Sequence, residues 1–121
     1  MITRSLTHTI SMALITLCAQ SAFSETLTSQ ESDRIAKEDI AATQVLAEVC
    51  PVLIGNNPAF QTKIENLTQI LLKGLSKTTT LVQLQQDPEY QTVLKEAQIS
   101  AKEVDQAEHK AVCADVLELS H

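Results

Sequence analysis

Asp105, His109 and Cys113 follow one another at intervals of four in the stretch DQAEHKAVC. On a helix that spacing stacks an acid, an imidazole and a thiol along one face. Three chemistries use such a set: a thiolate activated by its histidine, half of a metal site, or half of a disulfide. A catalytic triad fails on geometry. Side chains one turn apart lie side by side, with Cβ atoms roughly 5–6 Å apart, and do not converge on one substrate atom. His109 is therefore expected to be a solvated surface residue. The metal reading would recruit Cys50, Cys113 and His109, with His121 as a fourth ligand, but the chain has no CxxC or HxxxH pair. Structural zinc sites usually present their ligands as such local pairs. No metal, cofactor or catalytic residue is therefore expected.

The choice between thiol and disulfide turns on compartment. MITRSLTHT carries one cation, Arg4, and precedes ISMALITLCA, an uncharged apolar run of the length of a signal-peptide core. It is too short to span a bilayer, which takes roughly 20 apolar residues. Ala22 and Ser24 supply the small side chains that a signal peptidase requires, so residues 1–24 are expected to be cleaved before Glu25, leaving residues 25–121 as a single domain in the periplasm or secreted. Cys18 raises a lipoprotein alternative, against which stands Leu17, where a lipidated cysteine normally follows a small residue. The other two cysteines, Cys50 and Cys113, form an even pair in an exported chain and are read as a disulfide. Closing a loop between residues 63 apart is worth about 4 kcal/mol in the loop-entropy model.

Removing Arg4 from the nine basic residues leaves eight against 15 acidic ones, a net charge of −7 for the expected mature chain. Such a chain repels phosphate backbones and anionic lipid, which argues against nucleic acid and membrane surfaces as partners. Past residue 24 the aromatic side chains are Phe60 and Tyr90, too few for base-stacking or sugar-binding platforms. They also imply a thin core that benefits from a crosslink.

The elements that carry these residues read as helix almost throughout. Thr28 and Glu31 have the capping-box form, and Ile35, Ala42, Val45, Leu46 and Val49 lead at helical spacing to Cys50, with a bend or boundary at Pro51 and a stop at Gly55. Asn57 and Pro58 open a second helix whose stripe, Phe60, Ile64, Leu67, Leu71 and Leu75 widened by Ile70 and Leu72, predicts the centre of the core. One of Thr78 to Thr80 should cap a short third helix burying Leu81, Val82 and Leu84. Asp87 and Pro88 begin a fourth, with Tyr90, Val93, Leu94, Ala97, Ala101 and Val104 inward. Asp105 and Glu108 look like a second capping box and place a break near Val104, after which Val112, Cys113, Val116 and Leu117 form a patch to lay on the first helix. The fold class is thus all-α: a small bundle of four or five helices over residues 29–119, with Cys50–Cys113 joining the first and last.

The signal peptide, AEVCP, LVQLQQDPEYQTVLKEA and HKAVCADV together resemble a family of small uncharacterised exported two-cysteine helical proteins of Gram-negative bacteria. That resemblance covers the mature chain and implies a fold with no activity attached. Size, compartment, acidity and the single cysteine pair are also similar to those of the periplasmic acid-stress chaperones, as an analogy without shared motifs. No GxSxG, P-loop, HExxH or EF-hand pattern occurs, and pairs such as Asp33 with Lys37, or Asp39 near Glu38, read as a solvated helix face. The NLT at Asn66 fits a glycosylation sequon without meaning in a bacterial helix. The expected function is a non-enzymatic binding module for another exported protein, recognising a basic surface. The alternative is an acid-stress chaperone that exposes the second helix's leucines when its carboxylates protonate.

Overall fold

A computed structural model of the chain describes residues 27–119. The leader and cleavage expected at residues 1–24, Cys18 and His121 lie outside the described residues. Within them the chain forms five helices and no strand: α1 (Ser29–Ile54), α2 (Pro58–Leu72), α3 (Leu81–Leu84), α4 (Pro88–Glu103) and α5 (Gln106–Leu117). The class expected from the sequence is the class observed, and the disulfide joins α1 to α5.

Local chemistry sets most boundaries. Thr28 Oγ1 accepts from the Glu31 amide at 3.2 Å, and Glu31 Oε2 accepts from the Thr28 amide at 2.9 Å, so the capping box starts α1. α1 runs through Pro51 to Ile54 without a boundary at the proline. It stops at Gly55, whose φ of 79° and ψ of 174° belong to a region open essentially to glycine alone. Asn57 Oδ1 accepts from the Ala59 and Phe60 amides at 3.0 and 3.4 Å ahead of Pro58. Thr80 is the residue that caps α3, in a reciprocal box with Gln83. Two expected caps are absent. Asp87 and Asp105 make no side-chain cap bond, Asp87 because its carboxylate is turned to Lys37. The break near Val104 is present: ψ of 137° takes that residue out of the helical region.

Packing departs from the stripe reading. α1, and not the more apolar α2, is the hub, because it packs against α2, α4 and α5 in turn. Its inward face is Ile40, Ala41, Thr43, Val45 and Cys50, whereas Ile35 and Ala42 lie exposed. On α2 the buried line is Phe60, Ile64, Thr68 and Leu72; Leu67 and Leu71 are half-buried, as is Leu75 just past the helix end, and Ile70 is exposed. Thr68 is tolerated in that line because its hydroxyl donates to the Ile64 carbonyl at 2.8 Å and accepts from Gln44 at 3.0 Å. Val82, Val104 and Val112 are exposed rather than buried, Val82 in the four-residue α3, Val104 just past the end of α4 and Val112 on α5 beside the buried Cys113.

The core divides along α1. Toward its start, Ile40 and Ala41 pack with Leu72, Leu84, Tyr90 and Val93. Toward its end, Cys50 packs with Phe60, Ile64, Cys113 and Val116. Lys37 meets Glu89 and Glu48 meets Gln98, so α1 and α4 run in the same direction. Asp33 meets Ser76 and Gln44 meets Thr68, so α2 returns antiparallel to α1.

Candidate functional site: a cleft between α1, α4 and α5

α4 ends at Glu103 while α1 continues beside it, and α5 leaves the junction to pack on α1 and α2. One side of the last turns of α1 is left uncovered. The result is an open cleft of about 530 Å³. Its apolar wall is Val45, Val49, Val52 and Leu53 from α1, Ala101 from α4 and Val104 at the junction. Glu48, Gln98, Lys102, Gln106 and His109 supply the polar groups. Val52 is 84 % exposed, a branched apolar side chain presented to solvent beside other apolar groups. Gln98 Nε2 donates to the Glu48 carboxylate at 3.3 Å, tying α4 to α1 across the seam. A second groove, of about 280 Å³, follows α1 and α2, but Phe60 and Ile64 in its floor are already buried. The larger cleft is the better candidate for binding, since Val52 and Val104 in it remain exposed.

A polar node ties the other end of α1 to the start of α4. Lys37 Nζ lies 2.7 Å from Asp87 Oδ2 and 3.1 Å from Glu89 Oε1. Hydrogen bonding from the Lys37 ammonium holds the Asp87 carboxyl below the usual carboxylate range, and the same bond raises Lys37. Asp33 does not pair with Lys37 as a solvated helix-face couple. Its carboxylate accepts from the Ser76 hydroxyl at 2.6 Å and the Ser76 amide at 2.8 Å, and these bonds lower it. Glu38 pairs with Arg34, one turn earlier on the same helix. Sequence spacing pointed to i,i+4 partners; the tertiary fold supplied closer ones for Lys37 and Asp33.

Asp105, His109 and Cys113 lie in different surroundings along α5. Cys50 and Cys113 form the disulfide, with Cα atoms 5.6 Å apart and both side chains fully buried. Those sulfurs are thereby removed from thiolate chemistry and from ligation. Asp105 is exposed at the start of α5, and His109 is half-buried on the cleft wall instead of freely solvated. Among the described residues, no three His, Cys, Asp or Glu side chains gather as metal ligands. No described helix is long and apolar enough to cross a membrane. The cleft itself was missed from sequence, because Val45 and Val49 read as part of the inward face of α1 and Val52, past Pro51, was not singled out. A signal for it was present in the break at Val104, which ends α4 before α1 ends.

Residues 36–116 match the family described as Domain of unknown function (DUF7944). The chain belongs to this family. No curated protein and no solved structure matches it. The DUF7944 region starts within α1 at Ala36 and closes on α5 at Val116, so it holds both disulfide cysteines, the Lys37 node and every residue of the cleft. The family thus stands as an uncharacterised domain, in keeping with the coarser part of the resemblance drawn from the sequence.

Proposed function

We propose that this DUF7944 chain is an exported, non-enzymatic binding module that holds another exported protein in the cleft between α1, α4 and α5. The observation that carries the reading is Val52. A side chain that is 84 % exposed, beside Val49, Leu53 and Val104, offers apolar area that folding leaves unused. A partner's apolar anchor seated there would be flanked by Glu48, Lys102 and His109, which fix orientation. The net charge favours a basic partner surface through complementarity and faster encounter. The buried Cys50–Cys113 bond supports an oxidising compartment and hence export.

The test is a pull-down from periplasmic extract with the mature chain and with Val52→Glu. Position 52 is exposed, so the variant should keep its helicity and its disulfide while losing the captured protein. Equal capture by both chains would defeat the cleft as the contact.

The second reading is the acid-stress chaperone. It draws on Asp33 and Asp87, whose charged forms are held by Ser76 and Lys37 at the contacts between α1 and the segments after α2. Suppression of client aggregation at pH about 2–3, absent at neutral pH, would favour it. A chain that keeps its fold in acid and protects no client would remove it.

A further inference from the structure

We infer that the Cys50–Cys113 bond is what fixes α5 on the bundle, so that oxidation completes the α5 wall of the cleft while the core around Tyr90 forms without it. The cleft's role rests on the reading above; the placement of α5 does not.

α5 brings little else to hold itself in place. Of its 12 residues only Cys113 and Val116 are buried, Leu117 is half-buried and Val112 is 38 % exposed. Twelve residues is about the length at which an isolated helix is marginal in water. Its N-terminus lacks a side-chain cap bond from Asp105. The polar tie at its far end, from Lys63 Nζ to the Leu119 carbonyl, is exposed. Cys113 therefore occupies the centre of the small buried patch, and without the crosslink that patch is two side chains and a thiol.

The other half of the molecule is independent of this contact. Ile40, Leu72, Leu84, Tyr90 and Val93 form a cluster that contains no α5 residue. Gln106 and His109 are the α5 contribution to the cleft. Releasing α5 removes that wall and leaves the Tyr90 core standing.

The chemistry balances with a disulfide oxidant, protein or small molecule. The two thiols lose two protons and two electrons as the S–S bond forms, and the oxidant's own disulfide takes them up and leaves as two thiols. Because both cysteines are fully buried once joined, a reductant reaches the bond only after α5 opens. Oxidation here acts as a one-way completion step after export, and not as a reversible sensor.

Limited trypsin digestion of the mature chain tests this, with masses read after denaturing reduction so that tethered fragments separate. Four samples are compared: oxidised, reduced, Cys50→Ser/Cys113→Ser, and Cys50→Ala/Cys113→Val, the last keeping apolar side chains at both positions without the bond. The expected result is cleavage after Lys110 at least about tenfold faster in the three uncrosslinked samples, the gap that separates a protected from an open segment. The near-ultraviolet dichroism of Tyr90, the only tyrosine in a chain without tryptophan, should persist in all four. Unchanged protection of Lys110 in the Ala/Val chain would overturn the inference, because packing alone would then hold α5. Loss of the Tyr90 signal together with α5 would overturn it too, because the bond would then hold the entire fold. Val52→Glu in the oxidised background separates the two readings: it should abolish partner capture and leave Lys110 protected.

Discussion

Replacing Tyr90 by phenylalanine should stabilise the protein. Tyr90 is 1 % exposed in the core between α1 and α4, and its hydroxyl has no hydrogen-bond partner among the described residues. A buried hydroxyl left without a partner costs about 1–3 kcal/mol in lost hydration. Tyr90→Phe keeps the ring in the cluster with Ile40, Leu84 and Val93 and removes the desolvated group. A gain of about 1 kcal/mol follows, or about 4–8 °C in Tm for a domain of this size. An alkaline arm gives an independent check. Burial, and secondarily the charge of Glu48, pushes the phenol above its usual range. Its folded pKa being raised, the contribution is complete below the unfolded value near pH ~10 and is lost as pH rises toward the folded one, by up to about 1.4 kcal/mol per pH unit. Urea unfolding followed by far-ultraviolet dichroism should show the variant more stable at pH ~7 and less sensitive above pH ~10. A loss of about 1 kcal/mol or more in the variant would refute the reasoning, because it would mean that the phenol is hydrogen-bonded in the folded chain.

Lys37→Met should remove two shoulders from the stability profile. Asp87 is lowered by Lys37, so its contribution is present above pH ~4 and is lost as pH falls through its folded pKa; Lys37 is raised, so its contribution is lost as pH climbs past ~10. These side chains are up to about a third exposed, so the difference between wild type and variant at neutral pH should be about 0.5–1 kcal/mol, read from denaturant midpoints across pH. Asn57→Ala should cost about 1 kcal/mol, since Asn57 holds two α2 amides, whereas Asp105→Ala should fall within about 0.5 kcal/mol of wild type by the same assay. A large loss at Asp105 would show that it caps α5 after all.

What the sequence made legible was punctuation. Thr28, Asn57, Pro58, Thr80 and Pro88 act over three or four residues, and each begins a helix where local chemistry placed it. The disulfide was readable from the even cysteine count that the expected leader cleavage leaves, without any local pattern to bring residues 50 and 113 together. Burial was read less well, because periodicity ranks faces only where a single neighbour covers a helix. α1 has three neighbours, so Ile40 and Ala41 went unremarked while the exposed Ile35 was counted inward. Asp87 shows the same limit at the level of one side chain. Its type and position suited a helix cap, and a lysine 50 residues earlier in the chain took it instead. The cleft was the least legible feature, since an uncovered stretch of α1 depends on where α4 and α5 end in space.

The same-direction pairing of α1 and α4 bears on how fast the molecule assembles. Helical bundles that join successive antiparallel neighbours gather mostly local contacts and fold within microseconds to milliseconds. Here the seam between α1 and α4 closes across sequence separations of 52 and 50 residues, at Lys37 with Glu89 and at Glu48 with Gln98. The chain must run out along α2 and return before that seam can begin to form. Folding is accordingly expected near the slow end for an all-helical domain, with mutations at the seam slowing the folding rate and mutations in α5 chiefly hastening unfolding. Lengthening the connection between α2 and α3 should change this little, because each doubling of a flexible loop adds only about 0.6 kcal/mol to its closure.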